Sequence, residues 1–210
     1  MKRFLVLSCS VAISALFFHA CSSSDDSMID APLTRADAVS EKIVFQDDFN
    51  QADSIPDRNK WSLCKKGSPA WSKYLSESYD QAYVHDGKLV LVAEKVNGVY
   101  KTGGVQSLGK AEFQYGKIEI CARFTKTAKG GWPAIWMMPA KPVYSGWPAC
   151  GEIDIMEQLN HDGIVYQTIH SHYKNDLGFT KPIPRKTVSY NKGQFNIFGI
   201  EWTPDALTFK

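Results

Sequence analysis

The 210-residue chain has the composition of a folded globular domain, with 44% hydrophobic and 12% aromatic residues. This composition excludes a disordered tail, a collagen-like repeat and a coiled coil. Lysines and arginines number 24 against 22 aspartates and glutamates, and two of the cations, Lys2 and Arg3, lie in a segment that we expect to be removed. The remaining charge is balanced. A chain without clustered basic residues binds phosphates poorly, so we expect no nucleic-acid partner.

The first 20 residues have the layout of a secretory signal. A cationic start, Met1-Lys-Arg3, precedes an apolar run over 4–18, which is shorter than the ~20 residues of a membrane span. Ala20-Cys21 follows and resembles the lipobox of bacterial lipoproteins, in which the new N-terminal cysteine is acylated. We therefore predict a signal peptide at 1–20 and lipidation of Cys21. The protein would then be an outer-membrane lipoprotein of the bacterial cell envelope, on either face; a plain signal peptide is the alternative.

Residues 21–42 comprise Cys21 and a polar stretch of small side chains without periodicity. This composition predicts a flexible tether between the anchor and a folded domain. Three cysteines remain in the folded part, namely Cys64, Cys121 and Cys150. They are odd in number, widely spaced and free of any C-x-x-C pattern, so neither a disulfide scaffold nor a zinc site is indicated.

From residue 43 onward the pattern indicates strands. The Asp86-Gly87 pair between two apolar runs is a hairpin signal, and Lys117–Phe124 alternates strictly between apolar and polar side chains. Strands or hairpins are predicted over 43–49, 83–92, 117–124, 164–173, 195–202 and 206–210. No amphipathic helix is evident, so the fold class predicted is an all-β, antiparallel sandwich. The last segment resembles a strand that has only begun, and we therefore expect a fragment truncated at its C-terminus.

Three carboxylates stand on one predicted strand, Glu152-Ile-Asp-Ile-Met-Glu157. Glu152 and Asp154 share a face because side chains alternate along a strand, whereas Glu157 has the opposite parity. A β-bulge at Ile155-Met156 would turn Glu157 to the same side. Clustered carboxylates repel one another, and at least one must keep its proton through a raised pKa. A solvated acidic face and a calcium site are the alternatives to a functional cluster.

Two carboxylates about 5–5.5 Å apart are the requirement of a retaining glycosidase. One attacks the anomeric carbon, and the other protonates the leaving oxygen and later activates water. The preceding stretch carries Trp132 and Trp136 on either side of Pro133-Ala134. Indole rings pack against the apolar faces of sugars while their N–H groups bind hydroxyls. The pattern therefore predicts a site that cleaves carbohydrates, with core tryptophans as the alternative interpretation.

At these segments the sequence resembles glycoside hydrolase family 16, over residues 43–210. Glu152-Ile-Asp-Ile-Met-Glu157 matches the family's E-x-D-x-x-E signature in the bulged form that is typical of laminarinase-like members. Trp132-Pro-Ala-Ile-Trp136 resembles its W-P-A-x-W motif, and Tyr115-Gly-Lys-Ile-Glu119 its Y-G-x-x-E stretch. Phe198-Gly-Ile-Glu-Trp202 resembles the family's late F-x-x-x-W strand.

The resemblance implies a concanavalin- or lectin-like jelly roll with an open cleft on its concave face, and endo-acting, retaining hydrolysis. By position, Glu152 would be the nucleophile, Asp154 its helper and Glu157 the acid/base. The residues expected to bind substrate are Trp132, Trp136, His170 and Trp71. The resemblance places His170 near the acid/base; a purely structural histidine is the alternative. We expect a monomer whose partners are the glycan and, through the lipid anchor, the membrane.

The bulged motif favours a β-1,3-glucan or a mixed-linkage β-glucan as substrate. The segment 165–175 would also suit an endo-β-1,4-galactosidase acting on poly-N-acetyllactosamine chains of mucin or keratan type. Loop residues that could set this choice are Trp71, Tyr74, Tyr144 and Trp147. A lectin-like binding module without activity is a further alternative. The resemblance implies no required cofactor, and at most a structural calcium ion.

Overall fold

The structure is a computed structural model, and it describes residues 11–15, 42–179 and 184–210. Apart from 11–15, the predicted signal peptide lies outside the described residues, as do Cys21 and nearly all of the predicted tether. The strands are β1 (Val11–Ala15), β2 (Lys42–Asp47), β3 (Ser62–Leu63), β4 (Ala82–Val84), β5 (Leu89–Leu91), β6 (Ala93–Val96), β7 (Val99–Thr102), β8 (Val105–Gln106), β9 (Gly116–Ala122), β10 (Ala134–Met137), β11 (Glu152–Glu157), β12 (Ile164–His170), β13 (Arg185–Ser189), β14 (Asn196–Trp202) and β15 (Leu207–Phe209). One helical turn, α1 (His172–Asn175), follows β12.

Two antiparallel sheets make up most of the fold. The first has the strand order β15-β14-β9-β1-β2, and the second has the order β10-β11-β12-β13. Three smaller pairs join β3 to β8, β4 to β5 and β6 to β7. The second sheet carries the three-carboxylate strand, β11, as an inner strand between β10 and β12, so hydrogen bonds fix its backbone on both sides.

The core lies between the two sheets. Ile118 and Ile120 of β9 are buried from the first sheet, and they share one cluster with Ile155 and Met156 of β11 and Val165 of β12 from the second. The alternation predicted for Lys117–Phe124 is confirmed, because every second residue of β9 is buried. Apolar faces packed in this way stabilise the sandwich by removing hydrocarbon surface from water.

The predicted hairpin at Asp86-Gly87 is also confirmed. His85 and Lys88 exchange two backbone hydrogen bonds of 2.9 and 3.1 Å across a two-residue turn. The turn residues Asp86 and Gly87 have φ values of 53° and 67°. Positive φ at both positions is the geometry that matches the twist of paired strands, and glycine adopts it without steric cost.

The strand predicted over 164–173 is too long by three residues. β12 ends at His170, and the Ser171 hydroxyl then accepts a hydrogen bond from the backbone N–H of Lys174 at 3.2 Å. This contact caps the first turn of α1, because it satisfies an amide that has no partner within the helix. The short side-chain bond therefore redirects the backbone where apolar periodicity alone favoured a continued strand.

Part of the predicted signal peptide forms a strand. The backbone of β1 pairs with β2 on one side and with β9 on the other. Cleavage after Ala20 would leave β2 and β9 without the strand between them. The signal peptide stays a prediction, and the described residues include no helix long and apolar enough to cross a membrane.

Candidate active site

The bulge that the sequence predicts in β11 is present. Against β10, Met156 pairs with Ile135 while Asp154 pairs with the next residue, Trp136, so β11 has one residue more than its neighbour. The register against β12 shifts at the same place, between Asp154 and Glu157. Two consecutive side chains, Ile155 and Met156, are both buried in the core. Because of this extra inward residue, the side chain of Glu157 points to the same face of the sheet as that of Asp154.

The outer carboxylates of β11 raise the pKa of the central one, Asp154. Asp154 is only 2% exposed, and its pKa is raised to about 8 by burial, by the charge of Glu157 and by a hydrogen bond to Glu152. Asp154 is therefore protonated at neutral pH, and its hydroxyl donates to the Glu152 carboxylate. The central, most deeply buried member of the cluster thus carries a proton.

An indole N–H meets each outer carboxylate. Trp132 Nε1 donates to Glu157 Oε1 at 2.7 Å, and Trp147 Nε1 donates to Glu152 Oε2. Trp132 precedes β10, whereas Trp147 lies in the loop before β11. Two loops thus fix the positions of the two outer acids, which a reactive pair requires.

His170, the last residue of β12, lies in the same site. The register of β12 pairs it with Glu152, and Tyr166 is the residue opposite Glu157. The His170 Nε2 lies 3.5 Å from Asp154 Oδ2, and the His170 Nδ1 is buried without a hydrogen-bond partner. Burial lowers the pKa of His170, so a neutral imidazole faces the protonated Asp154. The expectation that His170 lies near the acid/base stays a prediction: its cross-strand partner is Glu152, and the charge of Glu157 also acts on its pKa.

Arg185 is a charged member of the site that sequence reasoning missed. It begins β13, and its Nε donates to Thr168 Oγ1 at 3.1 Å. Thr168 is the cross-strand partner of Asp154, and the positive charge of Arg185 partly opposes the rise in the pKa of Asp154. No local sequence signal marks this residue, since only the pairing of β12 with β13 brings it near the carboxylates. Trp147 was predicted only as a loop residue that could set substrate choice, and its hydrogen bond to Glu152 was not predicted.

The aromatic residues predicted to bind substrate gather around the acids. Trp136 is the cross-strand partner of Asp154 on β10, so its side chain lies on the same face of the sheet. The ring of Trp71 stands edge-on to it, with ring centroids 5.1 Å apart. Trp71 and Trp132 are each about half exposed, at 48% and 51%. Accessible indoles beside an acid pair form a surface on which sugar rings can stack.

The three cysteines of the folded part form no disulfide within the residues that the structure describes. Cys64, Cys121 and Cys150 are free thiols. Across 42–179 and 184–210, no group of three or more His, Cys, Asp or Glu side chains could hold a metal ion. The structural calcium ion stays a prediction.

An antiparallel sandwich that carries paired carboxylates and exposed indoles on one sheet is the architecture of a glycoside hydrolase. Residues 71–210 match the family model of glycosyl hydrolases family 16. The chain belongs to this family. The laminarinase of Rhodothermus marinus superposes with a TM-score of 0.67 at 30% identity, covering 80% of this chain and 70% of that one. This likeness confirms the predicted jelly-roll fold.

Relatives of this chain act on two kinds of glycan. It is 36% identical over 176 residues to the keratan-sulfate endo-1,4-beta-galactosidase of Sphingobacterium multivorum, covering 80% of this chain and 40% of that protein. It is 31% identical over 177 residues to a beta-glucanase of Rhodothermus marinus, covering 79% of this chain and 61% of that protein. The chain thus spans less than two thirds of the length of these relatives.

Proposed function

We propose that this chain is the catalytic part of an endo-acting, retaining glycoside hydrolase that cleaves internal β-glycosidic bonds. The observation that carries the proposal is the bulge in β11, which brings Glu157 to the face of Glu152 and Asp154. A solvated acidic face would need none of the burial found here, since Asp154 and Glu157 are both buried. A group that burial and neighbouring charges hold in an unusual protonation state is typical of a catalytic site.

In the proposed reaction Glu152 is the nucleophile and Glu157 the acid/base. The Glu152 carboxylate attacks the anomeric carbon while Glu157 gives its proton to the leaving oxygen, which forms a glycosyl-enzyme ester and frees the rest of the chain. Glu157, now a carboxylate, takes a proton from water, and the resulting oxygen displaces Glu152 from the anomeric carbon. Asp154 donates its hydrogen bond to Glu152 and so stabilises the negative charge of this carboxylate, which is lost when the ester forms and regained when the ester is hydrolysed.

The proposed substrate is a β-1,3-glucan or a mixed-linkage β-glucan. The support comes from the bulged strand and from the laminarinase and the beta-glucanase to which the chain is similar. Trp71, Trp132 and Trp136 would supply surfaces on which the sugar rings of a polysaccharide stack.

A second candidate substrate is a poly-N-acetyllactosamine chain, cleaved as an endo-β-1,4-galactoside. The observation that favours it is the identity of 36% with the keratan-sulfate endo-1,4-beta-galactosidase, against 31% with the beta-glucanase. Product profiles on laminarin, barley glucan and keratan-type glycans separate the two candidates. Oligomers of several sizes from one of these polymers identify both the linkage and endo action.

The test of catalysis is the Glu152→Gln variant. We expect turnover to fall on the order of 10⁴-fold or more, because an amide cannot form the glycosyl-enzyme. Oligosaccharide binding should stay close to that of the unmodified chain, since the two side chains have nearly the same shape. Unchanged turnover in this variant would remove the proposal, and binding without products in the unmodified chain would favour a lectin-like module.

We further propose that the protein is a lipoprotein of the outer membrane, processed after Ala20 and acylated on Cys21. The support is the sequence of residues 1–21. Metabolic labelling with a fatty-acid analogue should tag the expressed chain and should fail with Cys21→Ala. Labelling of Cys21→Ala to the same extent would overturn this part of the proposal.

A further inference from the structure

A second concave surface opens beside the carboxylates. It is a cleft of ≈ 440 Å³ between the loop that precedes β11 and the helical turn α1. Most of its lining is hydrocarbon or aromatic, including Pro139, Val143, Tyr144, Ala149, His172 and Leu177. We call this feature the side cleft.

The side cleft is continuous with the catalytic strand. Gly151, which precedes Glu152, lines it, and so does Ser171, which follows His170. Its opposite walls are therefore anchored to the two neighbouring strands that carry the nucleophile candidate and its histidine neighbour. A sugar bound at Glu152 would have this cleft at its side.

The aromatic wall of the side cleft is held in place. The ring of Tyr144 stacks on the imidazole of His172, with centroids 4.4 Å apart and planes 21° apart. His172 is in turn fixed by a contact of 2.5 Å between its Nδ1 and Asp176 Oδ2. Tyr144 nevertheless stays 51% exposed, so the ring is both positioned and accessible to a ligand.

Unsubstituted glucose fits such walls poorly. Its edges carry hydroxyl groups, and a hydroxyl pressed against proline, valine or leucine loses water without gaining a hydrogen-bond partner. An acetamido group carries a methyl group that gains from burial against hydrocarbon, and its amide can still reach a polar neighbour such as Ser171. We infer that the side cleft is the subsite for an N-acetylhexosamine unit of the substrate chain. This inference rests on the proposed function with its second candidate substrate, the poly-N-acetyllactosamine chain, since it assumes that Glu152 cleaves such a chain.

Binding to the full chain carrying Glu152→Gln tests the subsite without turnover. The probes are two N-acetyllactosamine hexasaccharides that differ only in the acyl group on the hexosamine nitrogen, acetyl in one and formyl in the other. The acetyl form should bind about fourfold more tightly, because one methyl group is buried. Leu177→Asp should abolish this preference, since it places a charge on the apolar wall. Ile197→Asp is the matched control, because Ile197 is also an exposed aliphatic residue and lies on β14 of the other sheet, and it should keep the preference.

Equal affinity for the two hexasaccharides would overturn the subsite, and so would a preference that survives Leu177→Asp. Should Leu177→Asp fail to fold, Tyr144→Ala replaces it, and survival of the preference in that variant overturns the subsite equally. Turnover by the chain with Glu152 intact is measured separately on the acetylated hexasaccharide and on laminarin. A preference for the acetyl form with no hydrolysis of either glycan contradicts the proposed function alone. Hydrolysis of laminarin with no preference for the acetyl form contradicts the subsite alone.

Discussion

Trp132 and Glu157 are joined by a hydrogen bond of 2.7 Å from the indole Nε1 to the carboxylate Oε1. The bond exists because the bulge in β11 turns Glu157 away from the core and toward the loop that precedes β10. Trp132 is about half exposed, so the same ring can touch a bound sugar. One residue thus positions the acid/base candidate and contributes to the sugar-binding surface.

Trp132→Phe keeps the ring and removes the donor. We expect kcat/KM to fall about 10- to 100-fold, because a hydrogen bond to a charged group contributes about 1.5–3 kcal/mol. Steady-state kinetics measures this fall. Trp71→Phe is the control, because the ring of Trp71 contacts that of Trp136, and it should lower kcat/KM less than Trp132→Phe does; an unchanged kcat/KM in Trp132→Phe contradicts the assignment.

Glu157→Ala removes the acid/base. Hydrolysis should fall by about 10²–10⁴-fold, which is the usual contribution of general acid–base catalysis. Added azide should restore activity on a substrate with a good leaving group, because this anion attacks the glycosyl-enzyme without needing a base. The product would be a glycosyl azide of β configuration, identified by NMR. Glu112→Ala, at an exposed glutamate, should behave like the unmodified chain, and failure of azide to restore turnover in Glu157→Ala would contradict the role of Glu157.

Asp154→Asn changes how stability depends on pH. The folded chain raises the pKa of Asp154 to about 8, so this group favours folding most at pH values below its ordinary pKa of 3.8. That contribution is lost progressively as the pH rises toward 8, because the folded state must then give up a proton that it binds more tightly than the unfolded state does. The asparagine cannot ionise, and the Tm gain of Asp154→Asn over the unmodified chain should be larger at pH 9 than at pH 5. Scanning calorimetry at both values measures it, with Asp205→Asn at an exposed turn as the control; an equal gain at both values would contradict the raised pKa.

Much of the site could be predicted because its chemistry lies in consecutive residues. The six residues 152–157 already show that Glu157 would face away from Glu152 and Asp154 on a regular strand. A shared site for all three therefore indicates a bulge before any fold is known. Arg185 could not be found in this way, because it meets Thr168 and Asp154 only through the pairing of β12 with β13. The end of β12 was missed for a different reason: the Ser171 cap is one local bond that overrides apolar periodicity.

The position of His170 shows the same limit. The sequence places it on a strand expected beside the catalytic one, but register decides which carboxylate it faces. Pairing of His170 with Glu152 follows from hydrogen bonds along the whole length of β11 and β12. A shift of one residue would have moved the imidazole to the other face of the sheet, and no single-strand pattern fixes that choice.

The stereochemistry of the first product tests the central claim most directly. NMR of a fresh digest, recorded before mutarotation, reports which anomer the enzyme releases. If Glu152 attacks one face of the anomeric carbon and Glu157 delivers water to the opposite face, which the leaving group has vacated, two inversions give net retention, and the β-anomer of the new reducing end appears first. Initial release of the α-anomer would mean a single displacement by water and would contradict the assignment of Glu152 as the nucleophile.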